Sequence, residues 1–140
     1  MTSKLEEMLI RHEGKRSLPY ECTAGKITIG VGRNLDDMGL SDDEIMYLLE
    51  NDISRCSHEL MNSFPWYREL SRVRQEVMIM LCFNLGLPRL SKFVNALAHM
   101  ESREYSLAAD EFLDSKWAKQ VGNRAVELTE ILITNRYPTE

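Results

Sequence analysis

The sequence predicts an α+β protein, with a small antiparallel sheet near the N-terminus and helices in most of the remainder. The run from Ile27 to Gly32 alternates β-branched residues with threonine and glycine, which is the pattern of a short strand. On this strand we expect Ile27 and Ile29 to point into the core and the Thr28 hydroxyl, on the other face, to point into a cleft. From residue 41 onward, apolar residues recur every three or four positions, which is the spacing of amphipathic helices. We therefore expect a sheet lobe and a larger helical lobe joined by one long helix.

The N-terminal elements are predicted by their boundary signals. Ser3 and Glu6 form a capping-box pattern that opens a first helix over 3–13, and Gly14 supplies its stop. The stretch "SLPYECTAGKITIGVGR" predicts two or three antiparallel strands, with "TAGK" as a hairpin turn. Ser41 and Glu44 repeat the capping-box pattern and open the joining helix, which "NSFPW" ends.

Helical spacing continues to the C-terminus. The breaks "GLPRLS", "ESRE" and "KQVGN" separate helices predicted at about 67–84, 91–100, 105–115 and 124–135. The chain is predicted to be one domain over 1–140. The sheet lobe and joining helix would occupy about 14–60 and the helical lobe about 64–140, with the helix at 3–13 alongside the helical lobe.

Composition and charge exclude several functions. A hydrophobic share of 44% and a charged share of 28% are those of a globular protein with a core. The net charge of -5 argues against nucleic-acid binding, although residues 1–33 carry +2 and could attract an anionic substrate. No apolar run reaches the roughly 18 residues of a membrane span. Because acids interrupt the first apolar stripe, we predict no signal peptide, no stable membrane insertion and synthesis in a cytoplasm.

Cysteine usage predicts reduced thiols. Cys22, Cys56 and Cys82 are odd in number and widely spaced, unlike a disulfide framework or a zinc motif. Cys56 and Cys82 lie on apolar helical faces, where a buried, inert thiol is the expectation. We therefore predict no metal site and no cofactor.

Glu13 is the first candidate for chemistry. It ends a helix just before a hairpin, and a carboxyl half buried at such a junction has a raised pKa, as a general acid requires. Without its surroundings, a glutamate at a helix end is more often simply solvated. The residues that follow it change this interpretation.

Eight residues separate Glu13 from Cys22, five separate Cys22 from Thr28, and "IGVG" follows directly. This pattern resembles the active-site segment of the phage T4-type lysozymes, the endolysin family of glycoside hydrolases. Other segments resemble the same family in the same order: "GLSDDEIMYLLENDI", "CFNLG" with "SKFVNAL", and "SKWAKQVGNRAVE". The resemblance therefore covers most of the chain.

The resemblance implies a role for each matching position. Glu13 matches the general acid, Thr28 the residue that helps to hold the attacking water, and Cys22 a position where many relatives have aspartate. Arg124 matches an arginine that pairs with the catalytic glutamate. Further positions match residues that support the site or face the sugar: an ion pair of Arg33 with Asp52, and the polar residues Asn84 and Gln120.

The chemistry of Cys22 is left open by its sequence context. It could act as a base for water, as a covalent nucleophile, or as a spacer beside Thr28. A free thiol is mostly protonated at neutral pH, so the first role needs a lowered pKa, and Lys15, Arg16 and Lys26 are the cations that could lower it. A cysteine hydrolase pairing Cys22 with His12 is a weaker alternative, because His12 fits the apolar stripe of the first helix.

The resemblance implies an N-acetylmuramidase that cuts the β-1,4 bond between N-acetylmuramic acid and N-acetylglucosamine in peptidoglycan. We expect a monomer that is made in the host cytoplasm and acts on periplasmic glycan strands after a holin-type pore opens. Since cysteine stands where relatives have aspartate, the alternative is a catalytically silent relative that binds or regulates at the wall.

Overall fold

Helices and a three-stranded antiparallel sheet make up residues 2–138, the part of the chain that this computed structural model describes. This confirms the α+β class. Contacts divide the chain into two compact units, of which the first ends at Leu48 and the second begins at Leu49. The first unit contains α1 (Lys4–Glu13), β1 (Arg16–Glu21), β2 (Ile27–Gly30), β3 (Arg33–Asn34), α2 (Leu35–Met38) and the start of α3 (Asp42–Ser63).

The division falls within α3, the helix that was predicted to join the two lobes. α1 groups with the sheet. The placement of α1 alongside the helical lobe stays a prediction.

The first helix has the predicted boundaries. The Ser3 hydroxyl accepts from the backbone N–H of Glu6 at 3.1 Å, and the Glu6 carboxylate accepts from the backbone N–H of Ser3 at 2.9 Å. This closed capping box satisfies two N–H groups that a helix start leaves without partners. Gly14, at a φ of +83°, ends the helix, and its N–H donates to the Ile10 carbonyl. Glu13 is therefore the last helical residue.

The hairpin turn also lies where the sequence predicts it. The N–H of Gly25 donates to the Cys22 carbonyl and the N–H of Cys22 donates to the Lys26 carbonyl, both at 2.9 Å. The φ of Gly25 is +78°, a conformation that glycine adopts without a side-chain clash. Cys22 is thus the first residue of the turn between β1 and β2.

The two faces of β2 differ from the prediction. Ile27 and Ile29 were expected to point into the core, with the Thr28 side chain directed into a cleft. Instead, Thr28 is buried, with 3% of its surface exposed, whereas Ile27 is 42% exposed. β2 is the central strand, and Thr28 pairs with Tyr20 on one side and Asn34 on the other. Side chains directly opposite one another share a face, so Thr28 has a neighbour on each side.

An ion pair fastens β3 to the start of α3. The Arg33 guanidinium donates to both carboxylate oxygens of Glu44, at 2.8 and 2.6 Å, and to the Gly39 carbonyl at 3.0 Å. Glu44 also closes the second predicted capping box with Ser41. The hydrogen bonds from Arg33, followed by that from the backbone of Ser41, lower the pKa of Glu44 to about 2.

We expect Glu44→Gln to remove part of the acid sensitivity of folding. The folded pKa of Glu44 lies below its ordinary value of 4.5, so the stabilisation is complete above about pH 4.5 and is lost as the pH falls towards about 2. Urea unfolding at several pH values between 2.5 and 6 measures this slope. Glu50→Gln, at an exposed position on the same helix, is the matched control. Equal slopes in the two variants would contradict the prediction.

The second unit holds the apolar core. Beyond α3 it contains a 3-10 helix (Pro65–Glu69), α4 (Arg72–Leu85), α5 (Leu87–Leu90), α6 (Val94–Glu101), α7 (Tyr105–Leu113), α8 (Lys116–Val121) and α9 (Asn123–Thr134). Leu60, Met78 and Phe112 are among its most completely buried side chains. No helix within residues 2–138 combines the length and apolar character that crossing a membrane requires.

Two helix boundaries differ from the prediction because serine side chains cap new helix starts. The helix predicted at about 67–84 begins at Arg72, where the Ser71 hydroxyl accepts from the N–H of Arg74 at 3.2 Å. The segment interpreted as a break near residue 120 contains α8, which starts where the Ser115 hydroxyl accepts from the N–H of Ala118 at 3.1 Å.

Candidate active site

Glu13 lies against the backbone of Gly32. A Cβ atom on Gly32 would lie 2.9 Å from Oε2 of Glu13 and 3.3 Å from its Cβ and Cδ. A side chain at residue 32 would therefore force the Glu13 carboxyl to shift, and the φ of +68° is also one that residues other than glycine rarely adopt. The expected half burial of Glu13 is wrong, because its side chain is exposed at the end of α1. The one local signal of this contact is the glycine that follows Val31.

The Cys22 thiol is activated by the hairpin turn. Hydrogen bonds from the backbone at Lys26 and Ala24, and then from the Thr28 hydroxyl, lower the pKa of Cys22. The turn directs N–H groups at the sulfur, and these stabilise a thiolate more than a neutral thiol. The structure therefore brings Cys22 and Thr28 together, as their spacing on the hairpin suggested.

The expected cause of this shift is not the one found. A neighbouring cation was predicted to lower the pKa of Cys22, but the amino group of Lys26 pairs with Asp37 at 3.2 Å. The Arg16 guanidinium stacks over the Tyr20 ring, 4.6 Å from its centroid. Hydrogen bonds from the backbone, rather than the charge of a side chain, are the main cause of the lowered pKa of Cys22.

The Thr28 hydroxyl donates to the Lys26 carbonyl at 3.0 Å. It also contributes to lowering the pKa of Cys22, because a hydroxyl can donate to a thiolate. A hydroxyl has one proton, so it serves one acceptor at a time. Beside a neutral thiol the carbonyl is the better acceptor, and beside a thiolate the sulfur is. The hydroxyl can therefore follow the charge on Cys22.

A groove of about 930 Å³ lies within the second unit. Two of the predicted supporting residues, Asn84 and Arg124, line it. The Asn84 carbonyl oxygen accepts from the indole N–H of Trp117 at 2.6 Å, which leaves its NH₂ group as the available donor. Gln120 is exposed on α8 and is not among the lining residues. The remaining walls are largely apolar: Leu49, Ile53, Ile79, Met80, Phe83 and Leu128.

The same groove holds polar residues that sequence reasoning missed. These residues are Glu76, Glu127 and Tyr137, and the Tyr137 hydroxyl donates to Glu76 at 2.7 Å. Glu76 and Tyr137 are 61 residues apart, so no local pattern could have joined them. This contact ties the C-terminal segment to α4.

Arg33 and Asp52, for which the resemblance implied an ion pair, each pair with a residue of their own unit. Arg33 binds Glu44, as described above, and Asp52 accepts from Arg55 at 2.8 Å, one turn along α3. The reason for the first is local: Glu44 lies in the first turn of α3 and is held there by its capping box, in bidentate reach of the guanidinium.

A glutamate at a helix end, followed by a hairpin that carries an activated thiol and a hydroxyl, is an arrangement suited to hydrolysis. This arrangement fits a hydrolase of the α+β class. Comparison with known proteins specifies the class further. The phage lysozyme family model matches residues 10–136, which include Glu13, Cys22 and Thr28. The chain belongs to the phage lysozyme family.

Individual relatives agree with this assignment. Probable T4-type lysozyme 1 of Dictyostelium discoideum is 24% identical, and the match covers 96% of each chain. An endolysin of Acyrthosiphon pisum secondary endosymbiont phage 1 is 27% identical over 80% of this chain and 75% of its own. The pre-baseplate central spike protein Gp5 of Enterobacteria phage T4 is 25% identical over 93% of this chain but only 28% of its own length. The protein is thus a lysozyme-type glycoside hydrolase that acts on peptidoglycan.

Proposed function

We propose that the protein hydrolyses the β-1,4 bond between N-acetylmuramic acid and N-acetylglucosamine, with Glu13 as general acid and Cys22 and Thr28 handling the attacking water. The observation that carries this proposal is the packing of the Glu13 carboxyl against Gly32. Gly32 follows the hairpin on which Cys22 and Thr28 lie, so all three residues are on neighbouring elements of the first unit.

Glu13 supplies the proton for bond cleavage. Protonating the glycosidic oxygen improves the leaving group while positive charge develops on the sugar carbon in an oxocarbenium-like transition state. The carboxyl is exposed, so a polymeric substrate can reach it. Its contact with Gly32 restricts the side chain, and a restricted acid loses less entropy when it meets the bond.

Cys22 and Thr28 act on water. With its pKa lowered, Cys22 is more often a thiolate at neutral pH than an ordinary cysteine, and a thiolate can accept a proton from water. A negative sulfur also stabilises the positive charge of the transition state. The Thr28 residue is only 3% exposed and its hydroxyl donates to the Lys26 carbonyl, so its role is to orient a single water through the oxygen lone pairs rather than to face open solvent. Direct attack of the sulfur on the sugar and a spacer role for Cys22 are the competing mechanisms.

Two substitutions at Cys22 distinguish these mechanisms. We expect Cys22→Asp to keep substantial activity, since a carboxylate is a standing negative charge, and Cys22→Ser to lower the rate by about 10²-fold, since a hydroxyl stays neutral. Release of muropeptides from purified peptidoglycan gives the rates. Thr23→Ala, at an exposed position in the same turn, is the control.

The outcomes at Cys22 have separate meanings. A fully active Cys22→Ser enzyme would make Cys22 a spacer. A sugar–cysteine adduct detected by mass spectrometry in the wild type would instead favour the covalent route. A covalent intermediate gives a product with retained anomeric configuration. The configuration of the product released by Cys22→Asp then tests whether retention depends on the sulfur.

Arg124, Asn84 and Gln120 are proposed to support the substrate. Asn84 offers an NH₂ donor, and Arg124 a cation at the first turn of α9, both in the groove of the second unit. The substrate is the glycan strand of peptidoglycan, reached in the periplasm through a holin-type pore by a monomeric enzyme without metal or cofactor in its reaction.

A second candidate function is peptidoglycan binding without hydrolysis. The observation that favours it is Cys22 itself, because a thiol is a weaker standing charge than the aspartate of many relatives. The lowered pKa of Cys22 argues for catalysis instead. Wild-type protein that co-sediments with peptidoglycan but releases no muropeptides, and that gains hydrolysis as Cys22→Asp, would establish the binding function.

A further inference from the structure

Two buried thiols and a carboxylate meet between α3 and α4, within the second unit. The sulfur atoms of Cys56 and Cys82 and a carboxylate oxygen of Glu59 all lie within 4.8 Å of one another. Each cysteine is only 2% exposed, as the sequence predicted, while the Glu59 side chain is 37% exposed. The proposed reaction uses none of these three residues.

Their positions on the helices bring the three together. Cys56 and Glu59 are three residues apart on α3, so their side chains share one face of that helix. Cys82 lies on α4, and its sulfur lies within 4.8 Å of that of Cys56. Two packed helices therefore hold the three groups, and no loop contributes to the cluster.

We infer that Cys56, Cys82 and Glu59 form a binding site for a thiophilic divalent cation of the zinc type. Thiolate sulfur and carboxylate oxygen are both ligands that such an ion takes at about 2.0–2.3 Å. Around one tetrahedral ion, two sulfur ligands lie about 3.8 Å apart. The atoms need to move by about 1 Å at most to reach that spacing, which side-chain rotation supplies.

The surroundings suit an ion that enters from the Glu59 side. The two sulfurs form the closed end of the cluster, and the half-exposed carboxylate forms its mouth. Three protein ligands leave a fourth position on that open side for water. The competing cation, Arg55, lies 3.7 Å from Glu59 but only 2.8 Å from Asp52, so Glu59 can turn away from it.

Arg55 is the cation that pairs with Glu59, at 3.7 Å, and it lies on the exposed side of the cluster. A bound ion displaces the thiol protons, because the thiolate is the form that binds a metal. The site rests on its ligand set and spacing, and it is independent of the activity proposed for Glu13.

Cadmium titration tests the site, because thiolate bound to cadmium absorbs in the near ultraviolet. All proteins carry Cys22→Ala, so that only the two clustered thiols remain. With a thiol-free reductant present, we expect one cadmium ion per chain, a charge-transfer band, and a higher melting temperature. Cys56→Ala and Cys82→Ala should each lower the affinity by about tenfold or more. Glu59→Gln should keep the band and weaken binding.

The controls separate the loss of a cadmium ligand from the loss of the fold. Circular dichroism without cadmium identifies any cysteine variant that fails to fold, and Glu59→Gln avoids this problem because the residue is at the surface. Glu50→Gln, on an exposed position of α3, should bind cadmium as the parent does. A parent protein without the band, or one whose band survives in both Cys56→Ala and Cys82→Ala, would overturn the proposal.

Discussion

Glu13→Gln is expected to lower the rate of peptidoglycan hydrolysis by about 10³-fold, within the range that general acids contribute. The amide has nearly the same shape as the carboxyl but has no proton of suitable acidity for the glycosidic oxygen. Substrate binding should change little, so the loss should lie in kcat rather than in KM. Turbidity loss of permeabilised Gram-negative cells and muropeptide release measure the effect.

Glu7→Gln is the control for this experiment. Glu7 is an exposed glutamate on the same helix, outside the capping box, and its replacement removes the same charge from α1. We expect its activity to stay within about twofold of wild type, as for a surface charge away from the reaction. Clearing of cells that survives Glu13→Gln would remove Glu13 from the role of acid.

Gly32→Ala is expected to lower kcat by about 10²-fold while the protein stays folded. The added Cβ would lie 2.9 Å from Oε2 of Glu13, closer than atoms in contact tolerate, so the carboxyl must move. Displacing a catalytic group by about 1 Å is enough for a loss of this size. Muropeptide release at several substrate concentrations separates the effect on kcat from that on KM.

The chain supplies a matched control two residues away. Gly30 has a φ of +69°, almost the same as the +68° of Gly32, but a Cβ at residue 30 would meet nothing within 4 Å. Alanine at either site should cost about 1–2 kcal/mol of stability through backbone strain. Only Gly32→Ala should impair catalysis. Equal activities of the two alanine variants would contradict a positioning role for Gly32.

The double variant provides an independent check. If Gly32 acts only by positioning Glu13, then Gly32→Ala should have little further effect on the activity that remains in Glu13→Gln. If the two losses instead multiply, Gly32 acts on something other than the acid. Melting temperatures of all four proteins separate this coupling from a general loss of stability.

Local signals in the sequence were enough to predict much of the sheet unit. The boundaries of α1 follow from Ser3, Glu6 and Gly14, and the hairpin turn follows from the glycine at 25. These predictions succeed because caps and tight turns depend on hydrogen bonds between residues a few positions apart. Where a cap was overlooked, at Ser71 and Ser115, a helix start was missed.

Burial was predicted less well. Periodicity assigned Ile27 and Ile29 to the core, yet Thr28 is the buried residue of β2. Alternation along a strand defines two faces but does not say which face is covered. The partner of Arg33 was likewise missed, because bidentate geometry at Glu44 depends on how the chain folds back after β3.

The sequence by itself determined the family, the fold class and the order of Glu13, Cys22 and Thr28, because their spacing and the local caps are properties of neighbouring residues. Only the tertiary structure decided that Gly32 must lack a side chain, that turn N–H groups rather than a cation lower the pKa of Cys22, and that Cys56 meets Cys82 and Glu59. Each of these depends on distances between atoms brought together by folding, and such distances are not encoded in any local pattern.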